Sequence, residues 1–371
     1  MNATEVIIVL VYSISSVILI WFYLYYFEAV REGKPKISNE GLPPLSVIVA
    51  AHDEQENLKK LIPSILKQDY PEFELIIVND RSKDQTKSIL ENYRNDTRIS
   101  FINIDTPFPD RDPKKNALLQ GIENAKYEHL IFTDADCRPV SDNWLSSYGQ
   151  IYSGSPNTEV IIGYSPHFPT PGILGKFIEF ETTTTLLVYM GKAIKGKPYM
   201  AVGRNMSYTK SFFKQSGGFS SFINVTGGDD DIIINRYAKR NHTKVNTSPE
   251  SAVFTFAKKD LKAYIRQKKR HLSVGKRYNL ADKLFSASYW MSLIVQYGSL
   301  ISLIWFPKLI IPLLSLLLIR LFTGMIVYKR AKKRLNLPLT TVMLSVLEIL
   351  YIFYVVSLGT ASLYSKTTKW N

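Results

Sequence analysis

Four long apolar stretches confine what this chain can fold into. Val6 to Tyr26 is apolar or aromatic apart from three serines and carries no charge. Phe285 to Phe306, Leu309 to Tyr328 and Leu339 to Tyr364 are nearly as apolar, broken only by Arg320 and Glu348. At 1.5 Å per residue, about 20 helical residues cross a ~30 Å hydrocarbon layer. Each stretch is therefore expected to be a transmembrane helix, one at the N-terminus and about three at the C-terminus. The alternatives are a cleaved leader at the start and buried helices of a soluble protein. The flanking charge argues against a leader: Arg31, Lys34 and Lys36 follow the first stretch instead of preceding it. A second basic cluster, Lys329 to Arg334, separates the last two stretches and is expected to be a loop. Positive charge stays on the cytoplasmic side. Four spans then place both termini outside and residues 28 to 283 inside.

Between the spans the pattern changes to strands alternating with helices. Strands are expected at Leu45 to Ala51, Phe73 to Val78, Ile99 to Ile104 and Leu130 to Phe132. Helices are expected at Glu56 to Gln68, Gln85 to Tyr93 and Lys115 to Ala125. Such alternation means βαβ units and a mostly parallel, Rossmann-type α/β sheet with flanking helices. Further on, helices are expected at Ile173 to Tyr189, with Thr182 to Thr185 as a polar face, and at Ser211 to Ser216. Two more are expected at Asp230 to Asn241 and, as a basic amphipathic helix, at Lys258 to Tyr278. A basic amphipathic helix beside a membrane lies at its interface. The division is 1–27 anchor, 28–253 soluble domain, 254–283 interfacial helix region and 284–371 membrane region. The net charge of +14 suits anionic lipid or phosphate-bearing partners, and the apolar spans favour membrane over nucleic acid. The lone Cys137 excludes an internal disulfide and a cysteine-based zinc site.

Polar residues follow each strand of the first half. His52-Asp53-Glu54 follow the first, Asn79-Asp80-Arg81-Ser82 close the second, and Asp105 and Asp110 to Lys115 follow the third. Asp134 and Asp136 follow the fourth. In a parallel sheet this edge is where ligands bind. Residues i and i+2 of a strand share a face, so Asp134 and Asp136 are expected to point at one spot. Two carboxylates there invite a hard divalent cation, Mn²⁺ or Mg²⁺, bridging to a phosphate. Acids for base and ribose, a lysine for phosphate and a metal pair add up to a nucleoside-diphosphate pocket. The chain has neither G-x-G-x-x-G nor a P-loop, so neither of those nucleotide motifs is supported. Three acids, Asp229 to Asp231, follow Gly227-Gly228 and offer a general base. The plainer readings are surface aspartates, an acid-rich helix start and a solvated basic helix. His129, His167 and His242 are read as packing or surface residues.

These motifs, in order, resemble glycosyltransferase family 2. Val47 to Glu54 resembles its opening strand, and Asn79-Asp80-Arg-Ser82-Lys-Asp84-Gln-Thr86 resembles its D-D-x-S-x-D-x-T segment. Lys114-Lys-Asn-Ala117-Leu118 resembles K-x-x-A-L, and Asp134-Ala-Asp136 the metal-binding D-x-D. Gly203-Arg-Asn205 through Gly217-Gly-Phe219 resembles G-x-N-x-x-Y…G-G-F, and Gly227 to Asp231 resembles the base motif. Gln267-Lys-Lys-Arg270-His271 resembles the Q-x-x-R-W of membrane synthases. The resemblance runs from about Ser46 to Gly275 and implies a GT-A-like fold in the synthase and ceramide-glucosyltransferase branch.

Residue by residue, the resemblance implies that Asp53, Glu54 and Asp80 hold nucleobase and ribose. Lys114 would meet the nucleotide or diphosphate, Asp134 the ribose and diphosphate, and Asp136 the metal. Asp230 would be the base with Asp229 beside it, and Gln267 and Arg270 would hold the leaving diphosphate. Gly203, Asn205 and His271 would lie on the acceptor side. It further implies an inverting, metal-dependent hexosyltransferase using a UDP-sugar and a lipid or lipid-linked acceptor. Such an enzyme is expected in a bacterial inner membrane with its catalytic domain cytoplasmic. Three positions depart from the pattern: Ala50 for proline, Asn79 for the first acid, and His271 for the tryptophan that stacks on acceptor sugar in cellulose and hyaluronan synthases. The last puts processive polymer synthesis in doubt. The competing readings are a processive polysaccharide synthase, a haloacid-dehalogenase phosphatase that also uses D-x-D, and a transporter or receptor with a nucleotide-sensing domain.

Overall fold

Leu45–Ala51 forms β1, and the sheet grows on both sides of it. The computed structural model describes residues 1–31 and 41–364, with side chains to 358. Lys34 and Lys36 of the first basic cluster lie outside the described residues. In the first half, α2 (Gln55–Leu66), α3 (Thr86–Glu91) and α4 (Pro113–Asn124) alternate with β2 (Phe73–Asp80), β3 (Ile99–Ile104) and β4 (His129–Phe132). The short β5 (Cys137–Pro139), α5 (Trp144–Gly154), β6 (Val160–Ile162) and α6 (Gly172–Ile194) follow. Then come β7 (Met206–Thr209), α7 (Lys210–Gln215), α8 (Asp231–Tyr237), β8 (Thr243–Val245) and β9 (Val253–Thr255). The seven-stranded sheet runs β3-β2-β1-β4-β7-β6-β8, and β5 pairs separately with β9. β1, β2, β3 and β4 are parallel, with Val47 opposite both Leu75 and Ile131. Within the seven-stranded sheet only β7 runs against its neighbours, and β5 and β9 are antiparallel to each other.

The two faces of the sheet are buried in different cores. Ile48, Ile76, Val78, Leu130 and Phe132 face one of them, with α4, α6 and aromatic residues of the apolar helices. Val47, Val49, Leu75, Ile77 and Ile131 face the other, with Leu58, Leu61, Ile65, Trp144 and Tyr148. Strands covered on both faces read as continuous β-branched runs, which is why β1 and β2 show so plainly in the sequence.

Several expectations need correction. The threonines of α6 are no solvated face: Thr183 and Thr184 are buried, and the Thr184 hydroxyl donates to the Phe180 carbonyl and lies 2.7 Å from the Tyr328 hydroxyl. α8 closes at Ala238 and does not reach Asn241. The chain must extend there to pair Thr243 with Val160, and that pairing overrides helix propensity.

The remaining helices are α1 (Ala3–Trp21), prolonged by irregular turns to Ala29, with α9 (Leu261–Gly275), α10 (Leu280–Ser299), α11 (Ile310–Leu335) and α12 (Leu344–Tyr364). Among the described residues, three helical stretches are long and apolar enough to cross a membrane: Ala3–Ala29, Leu280–Ile304 and Pro307–Leu335. α12 has 21 residues, and its fully described part, Leu344–Leu358, is apolar. The basic cluster Lys329 to Arg334 is not a loop but the last turns of α11, which ends at Asn336 in the left-handed conformation (φ 50°). Lysine and arginine are good helix formers and suit the negative end of the helix dipole. Arg334 and Arg330 reach Glu28, at 2.8 and 3.3 Å, so this cluster lies beside the end of the first apolar stretch.

Candidate active site

β1, β2 and β4 end at one edge of the sheet, and the chain changes direction after each. Asp53 and Arg81 both take positive φ, 55° and 56°, a costly conformation for residues other than glycine. The Asp53 carboxylate accepts from the backbone N–H of Lys83 at 2.6 Å, and its own N–H donates to Ser82 Oγ. Asp53 therefore ties the first loop to the second. Asp80 is buried, and Arg81 grips its carboxylate through Nε and Nη2 at 2.7 and 2.8 Å. The Glu54 carboxylate accepts from Asn57 at 2.6 Å, and burial, aided by Asp136 and Asp134, raises its pKa.

Asp134 and Asp136 do come together, but not by strand alternation. β4 ends at Phe132, and a turn closed by Cys137 N–H on the Asp134 carbonyl (3.1 Å) brings the two side chains round. Ligand atoms of Asp134, Asp136 and Cys137 lie within 4.8 Å of one another. Cys137 is a poor third ligand for a hard cation. Burial and the two aspartates push its thiol well above the ordinary range, keeping it protonated. The two partly exposed carboxylates are the oxygen donors such a cation takes.

Asp112 caps α4 by accepting from Lys115 N–H, Pro113 takes the first helical turn, and two lysines follow. They do different work. Lys114 Nζ lies 3.0 Å from Asp134 and 3.1 Å from Asp229, joining the two acidic groups. Burial pulls its pKa down, but Asp134, Asp229 and Asp230 outweigh that and hold it charged. Lys115 is wholly buried and donates to the carbonyls of Val225 and Gly227. It thereby holds the Gly227-Gly228 turn, where both residues take positive φ. A Cβ on Gly228 would sit 2.6 Å from Ile232. Sequence reasoning passed over Lys115, because nothing local marks a lysine whose acceptors lie over 100 residues away.

That turn delivers Asp229, Asp230 and Asp231. Asp230 Oδ2 accepts from Gly203 N–H at 2.6 Å and Oδ1 from Asp231 N–H at 2.8 Å. Burial first, then Asp229, pushes Asp230 up to about 6. Asp229 goes the other way: burial would raise it, but Lys114 and Lys115 hold it below the ordinary carboxylate range. α8 has only seven residues, so burial decides the state of Asp230 over any helix dipole. Gly203 holds this carboxylate through its backbone N–H. Asn205 is corrected outright: it is buried inside the domain, accepting from Trp144 and Tyr148 and donating to the carbonyls of Tyr164 and Ser251. Its amide braces the fold, with its oxygen and nitrogen both engaged inside the domain.

One cavity of about 760 Å³ gathers most of these groups. Glu54, Lys114, Asp134, Asp136, Gly203, Asp229 and Asp230 line one side; Gln267, Arg270 and His271 of α9 line another. Arg270 pairs with no carboxylate among the described residues, whereas Lys268 beside it pairs with buried Glu181 at 2.5 Å. The cavity continues to Trp290 of α10 and to Tyr351, Tyr354 and Val355 of α12. Asp53 lies instead in a neighbouring recess with His52, Arg81, Ser82, Lys83 and Asp105.

Comparison with known proteins agrees with this architecture. The family described as glycosyl transferase family 2 matches residues 46–155, and glycosyl transferase family group 2 matches residues 131–361. The chain belongs to glycosyltransferase family 2 and is a glycosyltransferase. It is 26% identical over 202 residues to a poly-beta-1,6-N-acetyl-D-glucosamine synthase of Staphylococcus epidermidis, covering 52% of this chain and 47% of that one. The synthase of the same name from Staphylococcus aureus is 28% identical over 117 residues, 31% of this chain and 27% of that one. The matches thus span about half or less of those relatives. Among solved structures, a mannosyltransferase from Pyrobaculum calidifontis in complex with GDP-Man and Mn²⁺ covers 98% of this chain and 99% of its own, at a TM-score of 0.61 and 15% identity. That likeness is one of fold.

Proposed function

We propose that this protein transfers a sugar, with inversion, from a nucleoside-diphosphate sugar to a lipid or lipid-linked acceptor at the cytoplasmic face of a bacterial inner membrane. The observation that carries this reading is the single cavity that joins Asp134, Asp136, Asp230 and Arg270 to the apolar helices α10 and α12. A soluble acceptor would need no such wall. The orientation is supported by Arg330 and Arg334, which meet Glu28, and by the Leu335 carbonyl, which accepts from Tyr164 of the catalytic domain. Both described basic ends thus lie on the domain's side.

In this reading an acceptor hydroxyl attacks the anomeric carbon from the face opposite the diphosphate. The new C–O bond forms as the bond from the anomeric carbon to the diphosphate oxygen breaks, and the hydroxyl proton passes to a carboxylate oxygen of Asp230. Asp229, kept ionised by Lys114, stays out of the proton transfer and raises the basicity of Asp230. Lys114, Gln267 and Arg270 stabilise the departing nucleoside diphosphate. Asp136, with Asp134 shared between it and Lys114, would hold Mn²⁺ or Mg²⁺, which when bound neutralises diphosphate charge. Glu54, Asp53 and Asp80 would lie on the nucleoside side, Asp53 by fixing the loop backbone and Asp80 by holding the Arg81 guanidinium.

A uridine diphosphate sugar is the proposed donor, supported by the N-acetylglucosamine polymer named for the staphylococcal relatives. That name also favours a second reading, a processive polysaccharide synthase, which His271 in place of tryptophan disfavours. The deciding experiment offers UDP- and GDP-sugars to the purified full chain with a bacterial lipid extract and reads products by mass spectrometry. One or a few sugars on lipid supports the first reading. Long polymer supports the second. Turnover of no nucleotide sugar overturns both.

A further inference from the structure

The cavity wall farthest from the sheet is built from aromatic residues of different helices. Trp290 of α10 and Tyr351 of α12 meet edge to face, with centroids 4.5 Å apart. Tyr351 and Tyr354 stack at 5.5 Å and 16°, and Tyr264 of α9 lies 5.9 Å from Tyr354. Tyr351 is buried, while Trp290 and Tyr354 are partly open, and all three line the cavity. A ring belt that only anchored a helix at the lipid surface would face outward. Trp290, Tyr351 and Tyr354 instead line the space that also holds Asp230 and Arg270.

The same wall carries a charged pair. Glu181 of α6 is buried, bonded to Lys268 Nζ at 2.5 Å and to the Thr185 hydroxyl at 3.4 Å, and close enough to Tyr264, Tyr351 and Tyr354 to interact with them electrostatically. Glu181, Thr185 and Lys268 all line the cavity. A slot for an acyl chain alone gains nothing from a buried carboxylate, which is costly to keep in apolar surroundings. A sugar ring uses both features. Its C–H face lies on the negative face of an aromatic ring, while its hydroxyls meet the carboxylate and ammonium.

We propose that Trp290 and Tyr354, with Glu181 and Lys268 beside them, form a subsite for a sugar ring already carried by the lipid acceptor. The acceptor is thus a glycolipid, and the stacking surface absent at His271 is supplied by α10 and α12. This deepens the acceptor reading above and rests on it.

The test reads binding without donor. The full chain in nanodiscs is titrated with monoglucosyl diacylglycerol and with diacylglycerol of the same acyl chains. The glucosylated lipid is expected to bind more tightly. Trp290→Leu and Tyr354→Leu should each weaken it about three- to tenfold, the usual worth of an aromatic contact. Binding of the sugar-free lipid should not change. Trp290→Phe, which keeps a ring, should restore most of the loss. Equal binding of the two lipids, or equal weakening of both by Trp290→Leu, overturns the subsite. Because no donor is present, failure here is separate from failure to turn over any nucleotide sugar.

Discussion

Two groups of aspartates face the same cavity, and their surroundings suit them to the different tasks proposed for them. Asp134 and Asp136 sit on an open turn, partly exposed, with room for a cation between their oxygens. Asp229 and Asp230 follow a glycine turn clamped from beneath by Lys115, where burial and two lysines drive their pKa values apart. One member stays ionised and the other is poised near 6, the arrangement a general base requires. The residue type is the same in both groups; solvent access and the reach of Lys114 decide the chemistry.

The sharpest way to break that distinction is Asp230→Asn, which keeps size and removes basicity. Turnover is expected to fall by about 10² to 10⁴, the range for losing a general base. Affinity for the nucleoside diphosphate should stay within about twofold, because none of its proposed contacts is touched. Unchanged turnover would move the base role to Asp231, whose Oδ1 is buried without a partner.

On the other group, Asp136→Ala should abolish the response to added Mn²⁺ or Mg²⁺ in chelator-treated enzyme, with a loss on the order of 10² in activity, since a bound cation is worth several kcal/mol to developing phosphate charge. Activity that stays full in chelator would refute the metal role. An intermediate effect is expected at Lys115→Met. Tenfold or so lower turnover should accompany lower thermal stability, because the carbonyls of Val225 and Gly227 lose their buried donor. Wild-type turnover with normal melting would show that the glycine turn holds itself.

How much of this was readable beforehand follows from where each signal resides. β1 was legible to its end residues, because a strand buried on both faces writes its burial into consecutive residues. The acids at the sheet edge were legible for the same reason: they begin where the apolar run stops. The closeness of Asp134 to Asp136 was expected from strand periodicity but is produced by a turn. Asn205 stood inside a motif, yet its four partners come from elements far apart in sequence. Lys115, the Glu181–Lys268 pair and the buried hydroxyl of Thr184 are likewise products of tertiary contact, and a polar residue in a helix reads as solvated until its neighbour is known.

The smallest expected effect is on stability, and it carries the opposite sign to the loss of activity. Asp230 is held near 6 in the folded protein against an ordinary value of 3.8, so between those pH values the folded state binds more protons than the unfolded one. Stability from this residue is therefore present at low pH and is lost as pH rises through about 6. Activity moves the other way, rising through the same interval as the base ionises. Asp230→Asn removes the buried charge beside Asp229, and its amide oxygen can still accept from one of the two backbone N–H groups that Asp230 meets, Gly203 or Asp231. The variant should melt a few degrees above the wild type at pH 7.5, with the gap closing as pH falls toward 5, where the wild-type carboxyl takes up its proton. Melting of both proteins across this range by calorimetry gives the result. A gap independent of pH would mean that Asp230 does not titrate there, and the acidic limb of the activity profile would then belong to another group.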